Sequence, residues 1–203
     1  DLGAALQASP TWMATAAKAG FTYTRAFWRD AGHTGNAWVS HAQAMLAEVF
    51  DASGPDASAA GSPGAALAGF SALPATQRAS FDLGRDLLLS SQVVMLFGPG
   101  ADDPSLLTGH HWQDWATEPP TCSPLDLADE SARAAAHPPY GHPLPAAAHW
   151  QGRLYFGGSE TARQGGGYLE GALGAAARLR GQLLADSQAG LRNQAAANEA
   201  RVD

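Results

Sequence analysis

The segment from Leu154 to Leu184 constrains this chain most. A short apolar run, Arg153–Phe156, ends in Gly157-Gly158, and a second glycine run, Gly165-Gly166-Gly167, opens a helix-patterned stretch from Tyr168 to about Ala185. Leu169, Leu173, Ala176, Leu179 and Leu183 recur at helical spacing and form its expected apolar face. Glycine at a strand end lets a backbone or a ligand come close, because no Cβ stands in the way. A helix start offers unpaired N–H groups and a positive dipole end. Such a strand–glycine–helix unit is either a plain connection or a ligand contact, and the pattern leaves both open.

The rest of the chain supplies more strands than helices. Lys18–Phe27 alternates, with Phe21, Tyr23 and Arg25 on one face and Gly20, Thr22 and Thr24 on the other, which is strand periodicity. Ala37–Ser40, Glu48–Ser53 and Ala65–Phe70 are further short strand candidates, with a flexible Gly/Pro/Ser/Ala stretch from Gly54 to Gly64. Leu73-Pro74 opens a second helical stretch, expected as one helix over Ala75–Phe97, with Leu83, Leu87, Val94 and Phe97 inward and Gly98 as its cap. Pro119 to Pro145 is proline-rich and aperiodic. Asp186–Asp203 is polar and alanine-rich and reads as a frayed helical tail. Strands and helices alternate irregularly, so the expected fold class is α+β.

Composition excludes several functions. A net charge of −7 leaves no basic stripe for nucleic acid. No apolar run reaches the length of a membrane span, and no secretory signal precedes the first element, so a cytoplasmic location is expected. The single cysteine, Cys122, rules out an internal disulfide framework. Seven histidines fall in no zinc-ligand spacing, and neither a Gly-x-Ser-x-Gly elbow nor a phosphate-binding Gly-Lys loop occurs.

The wording of the glycine unit is more specific than its pattern. YFGGSETARQGGGYLEGAL, Tyr155 to Leu173, resembles the C-terminal signature of the flavin-containing amine oxidases, the family of monoamine and polyamine oxidases. PTWMATAAKAGFTYTRAFWRDAGHTG (Pro10–Gly35) resembles the family segment with a lysine before a strand. EVFDAS (Glu48–Ser53), ALAGF (Ala66–Phe70) and Asp114-Trp115-Ala116-Thr117-Glu118-Pro119 add to the likeness, which runs from about Pro10 to Leu184.

The resemblance implies roles for particular residues. Lys18, the only lysine of the chain, falls on the lysine that holds a water against the reactive edge of FAD, although a lone lysine is ordinarily a solvated surface residue. Tyr168 falls on the aromatic that walls the amine's path, with a core tyrosine as the plainer reading. The Leu169 N–H, at the helix start, faces the flavin's carbonyl edge. Gly157, Gly158, Ser159 and Glu160 fall on the segment beside the ribityl and phosphate portion. Trp115 falls on an aromatic beside the isoalloxazine, and equally reads as an ordinary core tryptophan. The implied reaction takes a small amine to an imine, with dioxygen reoxidising the flavin to give hydrogen peroxide.

Departures qualify it. Where some members carry a flavin-anchoring cysteine and a second wall aromatic, this chain has Pro124 and Leu125, with Cys122 slightly early, so non-covalent FAD is expected, and the second wall is either missing or supplied by Tyr140. The dinucleotide fingerprint Gly-x-Gly-x-x-Gly is absent: Gly98-Pro99-Gly100 fails at Asp103 and Gly165–Gly167 fails at Glu170. The resemblance therefore implies a C-terminal portion: residues 1–120 as part of a substrate domain, 121–185 as the end of an FAD domain, and 186–203 as a tail. An incomplete FAD site, inactive in isolation and completed by an N-terminal half, follows from it. The alternative is a truncated or degenerate homologue serving as a non-catalytic interaction module.

Overall fold

The computed structural model describes residues 1–57, 64–71, 73–128 and 137–199, with side chains to residue 190. Most of the Gly54–Gly64 stretch and the centre of the proline-rich stretch lie outside the described residues. The chain divides into two compact units, Met13–Ala134 and a second built from Asp1–Trp12 with Ala135–Asp203.

The Met13–Ala134 unit is built on a five-stranded antiparallel sheet. Its strands are β1 (Ala17–Tyr23), β2 (Ala37–Trp38), β3 (Leu46–Asp51), β4 (Ala65–Ser71) and β5 (Leu107–Asp114), in the order β2-β3-β4-β1-β5. Alternation works as expected on β1: Ala17, Ala19, Phe21 and Tyr23 are buried, and Lys18, Gly20 and Thr22 take the other face. The strand stops at Tyr23, earlier than expected, because Phe27–Asp30 turns into a short helix whose Trp28 is fully enclosed. Arg25 is consequently exposed and does not share the Phe21 face. Tyr23, Phe27 and Trp28 pack edge to face, with centroids 5.1–5.5 Å apart.

The expected single helix over Ala75–Phe97 is three pieces. A turn of α-helix (Ala75–Arg78) gives way to a 3-10 stretch (Ala79–Gly84), and Arg85–Phe97 then forms a regular helix. The break follows from what each end must bury. Arg78 is drawn inward to a carboxylate and two carbonyls, whereas Leu89, Val93 and Phe97 meet the sheet core. Leu83 and Leu87, assigned to the inner face by spacing, are exposed. Gln92 fixes the helix to β3: its Nε2 donates to the Leu46 carbonyl at 2.8 Å, and the Leu46 N–H donates to its Oε1 at 2.9 Å. This amide completes the ladder beside the irregularity between Leu46 and Glu48. Gly98 ends the helix at φ 90°, ψ 178°, a positive-φ cap but not the left-handed helical one expected.

Pro124–Ala128 is a short helix inside the stretch expected to be irregular. Ser123 starts it with a reciprocal cap: the Ser123 hydroxyl and N–H donate to Asp126 Oδ2 at 2.7 and 2.9 Å, and the Asp126 N–H donates back to Ser123 Oγ at 3.2 Å.

The second unit centres on one long helix, Leu169–Glu199. It begins one residue after Tyr168 and runs through the stretch expected to be a frayed tail. Its buried side also differs from expectation. Ala175 is enclosed, with Gly171, Arg178, Leu179 and Gln182 beside it, whereas Leu169, Leu173 and Leu183 are exposed. Arg178 organises this side. Nη1 donates to the Ala146 carbonyl at 2.6 Å, and Nη2 donates to the Phe156 carbonyl at 2.8 Å and to Thr161 Oγ1 at 2.7 Å. Gln182 adds a bond of 2.9 Å to the same Ala146 carbonyl.

Arg153–Phe156 is not a strand. Among the described residues it pairs only through the single bridge His149–Leu154, because no neighbouring strand in its unit offers a ladder. A tight reversal precedes it, with Trp150, Gln151 and Gly152 at φ of 52°, 60° and 75°. No described helix is long and apolar enough to cross a membrane.

Candidate active site

In the Met13–Ala134 unit, the sheet face away from the core carries the candidate chemistry. Register sets Lys18 opposite Phe70 on β4 and Gln113 on β5, and sets Phe70 opposite Glu48 on β3. One transverse row therefore reads Glu48, Phe70, Lys18, Gln113. The adjacent row reads Phe50, Ala68, Gly20, His111. Lys18 Nζ lies 4.7 Å from the Phe70 ring centroid, and the Phe50 and Phe70 rings are 6.1 Å apart. Small residues at Gly20 and Ala68 leave a cleft of about 620 Å³ over this face, bordered by Lys18, Phe50, His111 and Gln113.

Trp115 sits at the Lys18 end of the same sheet. Ala17 pairs with Asp114, and the Trp115 N–H donates to the Ala16 carbonyl at 3.0 Å. The Asp114 carboxylate caps the short 3-10 turn Trp115–Thr117 by accepting from the Ala116 N–H at 3.0 Å, and Trp115 remains partly exposed. β1–β5 pairing thus sets the Trp115 backbone beside Ala16, at the same strand end as Lys18. The residue that steadies this end was missed in the sequence. Arg78, 4% exposed in its side chain, grips Asp114 through both oxygens. Nothing local in the sequence connects the two.

In the second unit, Tyr168 closes the glycine turn. Its N–H donates to the Gly165 carbonyl at 3.0 Å, and its own carbonyl accepts from Ala172 at 3.1 Å, so it stands at the mouth of the helix. The first-turn N–H groups, that of Leu169 among them, have no intrahelical partner. The turn needs its glycines. Gly165 and Gly167 have φ of +63° and +80°, and a Cβ on Gly171 would run into the Gly165 carbonyl.

Two rings meet Tyr168, which stays about half exposed, and a third backs them. His137 stacks on it at 4.7 Å and 12°, Trp12 meets it edge-on at 4.7 Å, and Tyr140 stands 5.5 Å from His137. The Tyr140 hydroxyl is fixed between two backbone groups, donating to the Pro10 carbonyl and accepting from the Trp12 N–H, each at 2.8 Å. A cleft of about 270 Å³ opens beside these rings, bordered also by Ala162, Arg163 and Gly166. Trp12 and His137 were not singled out in the sequence; their approach to Tyr168 depends on long-range folding.

Gly157, Gly158, Ser159 and Glu160 lead into this cleft. A Cβ on Gly157 would strike Leu179, so this glycine serves packing against the long helix. Gly158 is exposed, and its carbonyl accepts from the Thr161 N–H and hydroxyl at 3.0 and 2.7 Å. The Glu160 carbonyl accepts from Gly141 at 2.9 Å. Cys122 is buried, and the aligned Pro124 and Leu125 lie on the short capped helix of the other unit.

These features suit an electron-rich ring system: an exposed Gly158, first-turn helix donors, and, among the described residues, no acidic side chain lining the Tyr168 cleft. Residues 2–179 match the model of the family described as flavin containing amine oxidoreductase. No curated protein matches the chain. Among solved structures it is similar in fold to cyclohexylamine oxidase from Brevibacterium oxydans IH-35A (TM-score 0.56, 20% identity, 86% of this chain and 35% of that one). It is similar also to putrescine oxidase bound to putrescine (TM-score 0.56, 20% identity, 84% of this chain and 35% of that one). The chain spans about a third of the length of these two.

Proposed function

Because the chain belongs to the family of flavin-containing amine oxidoreductases, we propose that it contributes the substrate-facing and part of the flavin-facing surface of an FAD-dependent amine oxidase. The observation that carries this reading is the placement of Lys18. The only lysine of the chain stands on an open aromatic sheet face, over Phe70 and next to the strand end that bears Trp115.

When bound, non-covalent FAD would accept a hydride equivalent from the carbon beside the amine, leaving an imine, and dioxygen would then be reduced to hydrogen peroxide. The chain's own residues bind and orient. Lys18 offers an ammonium that can hold a water and favour negative charge nearby. Phe50 and Phe70 line the amine's side of the sheet with apolar surface, and Tyr168 supplies one aromatic wall. Trp115 packs beside the ring system. The Leu169 N–H and the backbone from Gly157 to Glu160 serve the flavin. In this scheme residues 1–120 belong to the substrate side and 121–185 to the flavin side. The buried Cys122 agrees with a non-covalent cofactor. Small amines are the proposed substrates, as the names of the two matched oxidases suggest.

The absent Gly-x-Gly-x-x-Gly fingerprint assigns the pyrophosphate grip to residues outside these 203, on the same or another polypeptide. A titration of the chain with FAD, followed by flavin fluorescence and absorbance, tests the reading. Weak binding that becomes stoichiometric when a dinucleotide-binding segment is added, followed by bleaching with amine, is the expected result. Complete loading without bleaching by any of a panel of primary and secondary amines would favour a non-catalytic homologue.

A further inference from the structure

Gln113 stands directly opposite Lys18 across the β1–β5 pairing, and directly opposed residues share a sheet face. Both border the cleft of about 620 Å³ over that face. The Gln113 amide is held one way round. Its Nε2 donates to Glu118 Oε1 at 3.2 Å. A carboxylate only accepts, so the amide must offer its NH2 end to Glu118 and turn its carbonyl Oε1 the other way. Glu118 is itself pinned. The Trp115–Thr117 turn folds it back beside Gln113, and its N–H donates to the Trp115 carbonyl at 3.1 Å. Its own carbonyl accepts from the Thr121 and Cys122 N–H groups, each at 2.9 Å. Pro119 and Pro120 follow and restrict the chain further. A glutamine whose donor end is committed to a fixed carboxylate is a one-way acceptor, and this one is set across from the only lysine of the chain.

We propose that Gln113 is a positioning residue for Lys18: its side-chain carbonyl, aimed by Glu118, accepts from the water that the Lys18 ammonium holds. The inference rests on the reading of Lys18 as the water-holding residue and extends it to the partner that gives that water a direction. An ammonium has only donors, so a water on Lys18 takes that bond through its oxygen and turns both hydrogens away. Nothing on Lys18 itself decides where they point. An acceptor across the strand pair takes one of them and leaves the second for the flavin side of the cleft. The Phe70 ring, 4.7 Å from Nζ, attracts the ammonium through its π face but gives the water no such direction. In the row Glu48, Phe70, Lys18, Gln113, the ring steadies the charge and the amide orients the water. The Asp-Trp-x-x-acid-Pro element thereby contributes Glu118 as well as Trp115.

The test uses the whole chain carrying 13Cε-lysine; Lys18 is the only lysine, so its signal needs no assignment. Gln113→Met keeps the length and volume of the side chain but is only a weak acceptor. In that variant the Lys18 Cε–Hε order parameter should fall by about a third, the step between rigid and flexible groups. Gln113→Glu keeps an oxygen acceptor at the same reach and should retain the parent value. Glu118→Gln can meet Gln113 with either end of its amide, which frees Gln113 to turn, and should lower the order parameter as Gln113→Met does. A residue needed only for strand packing would give the reverse order, with methionine tolerated and glutamate not. An order parameter unchanged in Gln113→Met and Glu118→Gln, or lowered as much by Gln113→Glu as by Gln113→Met, would overturn the proposal. In the FAD-loaded protein, Gln113→Met should slow the same half-reaction as Lys18→Met, and the double variant should be no slower than Lys18→Met alone. Additive losses would show that Gln113 acts apart from Lys18, and would overturn it too. The order parameter needs no flavin. If amine fails to bleach the loaded protein while Lys18 responds as described, the oxidase reading falls and the Gln113 assignment stands; if bleaching proceeds while Lys18 ignores Gln113, only the assignment falls.

Discussion

Arg78 holds Asp114 through both carboxylate oxygens, Nε to Oδ2 at 2.7 Å and Nη2 to Oδ1 at 2.6 Å, while the same guanidinium donates to the Leu73 and Thr15 carbonyls. The four oxygens it meets belong to three stretches of chain: the lead into β1, the segment after β4, and the end of β5. Asp114 in turn caps the Trp115 turn. One side chain thereby fixes the strand end on which Lys18 and Trp115 depend.

Arg78→Met should therefore destabilise the protein by about 3–5 kcal/mol, the usual cost of leaving one member of a buried pair without its partner. Urea unfolding measures it. Asp114→Asn keeps the cap to Ala116 but weakens the pair, so its loss should be smaller. A loss under about 1 kcal/mol for Arg78→Met would show that water replaces the guanidinium and that the pair does not hold the strand end.

Much of the sheet was legible in advance, and the reason is local. Strand periodicity at Lys18–Tyr23 and Ala65–Phe70 records burial of one face, and burial of one face is what a sheet imposes. The helices were legible only as two helix-patterned stretches, not in their breaks, their short companions or their buried faces. Leucine spacing at 83 and 87 and at 169, 173 and 183 suggested inward stripes. The structure buries Leu89 and Val93 in one case and Gly171 and Ala175, beside the half-buried Arg178, in the other. Leucines can line a helix without facing its own unit, and small residues or one arginine can be the packed side. Arg153–Phe156 failed as a strand for a related reason, since a strand needs a partner and its own sequence does not carry one. The Ser123–Asp126 cap lies in a stretch expected to be irregular, although its Ser-x-x-acid spacing is that of a helix start. The Trp12–His137–Tyr168 cluster was not, because its members are separated by more than a hundred residues in sequence on one side.

Asp51 gives a pH prediction. Burial alone would raise its carboxyl, but bonds from the Arg29 guanidinium, the Ser53 side chain, the Trp28 indole and the Ser53 N–H outweigh that and hold it at about 2. A carboxyl depressed in the folded state stabilises fully above its unfolded value and loses that contribution as pH falls through the folded one. The stability contributed by this group should therefore disappear between about pH 4 and pH 2. Asp51→Asn should cost roughly 1.5–3 kcal/mol at neutral pH and flatten that part of the acid-unfolding profile. An unchanged slope between pH 4 and 2 would remove Asp51 from the acid transition.

Gly171 couples helix packing to the Tyr168 site. A Cβ there would collide with the Gly165 carbonyl, backbone that cannot rotate aside. Gly171→Ala should therefore push the first helical turn off the glycine loop, despite alanine's better helix propensity. Overpacking of this kind costs about 1–3 kcal/mol. The more telling readout is the Tyr168 ring, whose 13C shift should change as the His137 stack loosens. Gly174→Ala, three residues on and open at its Cβ, is the control and should stabilise slightly or not at all.

Lys18 separates chemistry from folding. Its side chain stands on the open face of β1 and meets the Phe70 ring, a contact worth about 0.5–1 kcal/mol at an exposed site. Lys18→Met keeps most of the apolar stem and should leave urea stability within about 1 kcal/mol of the parent. In the FAD-loaded protein the same change should slow flavin reduction or reoxidation by roughly a hundredfold to a thousandfold, the range for removing one preorganised electrostatic donor. Stopped-flow absorbance resolves the two half-reactions, and the affected half shows whether the ammonium acts on the amine step or on the dioxygen step. If both rates match the parent while stability is also unchanged, the ammonium over Phe70 is a surface charge, and the substrate side of the site must be sought on the next row of the sheet, at Phe50 and His111.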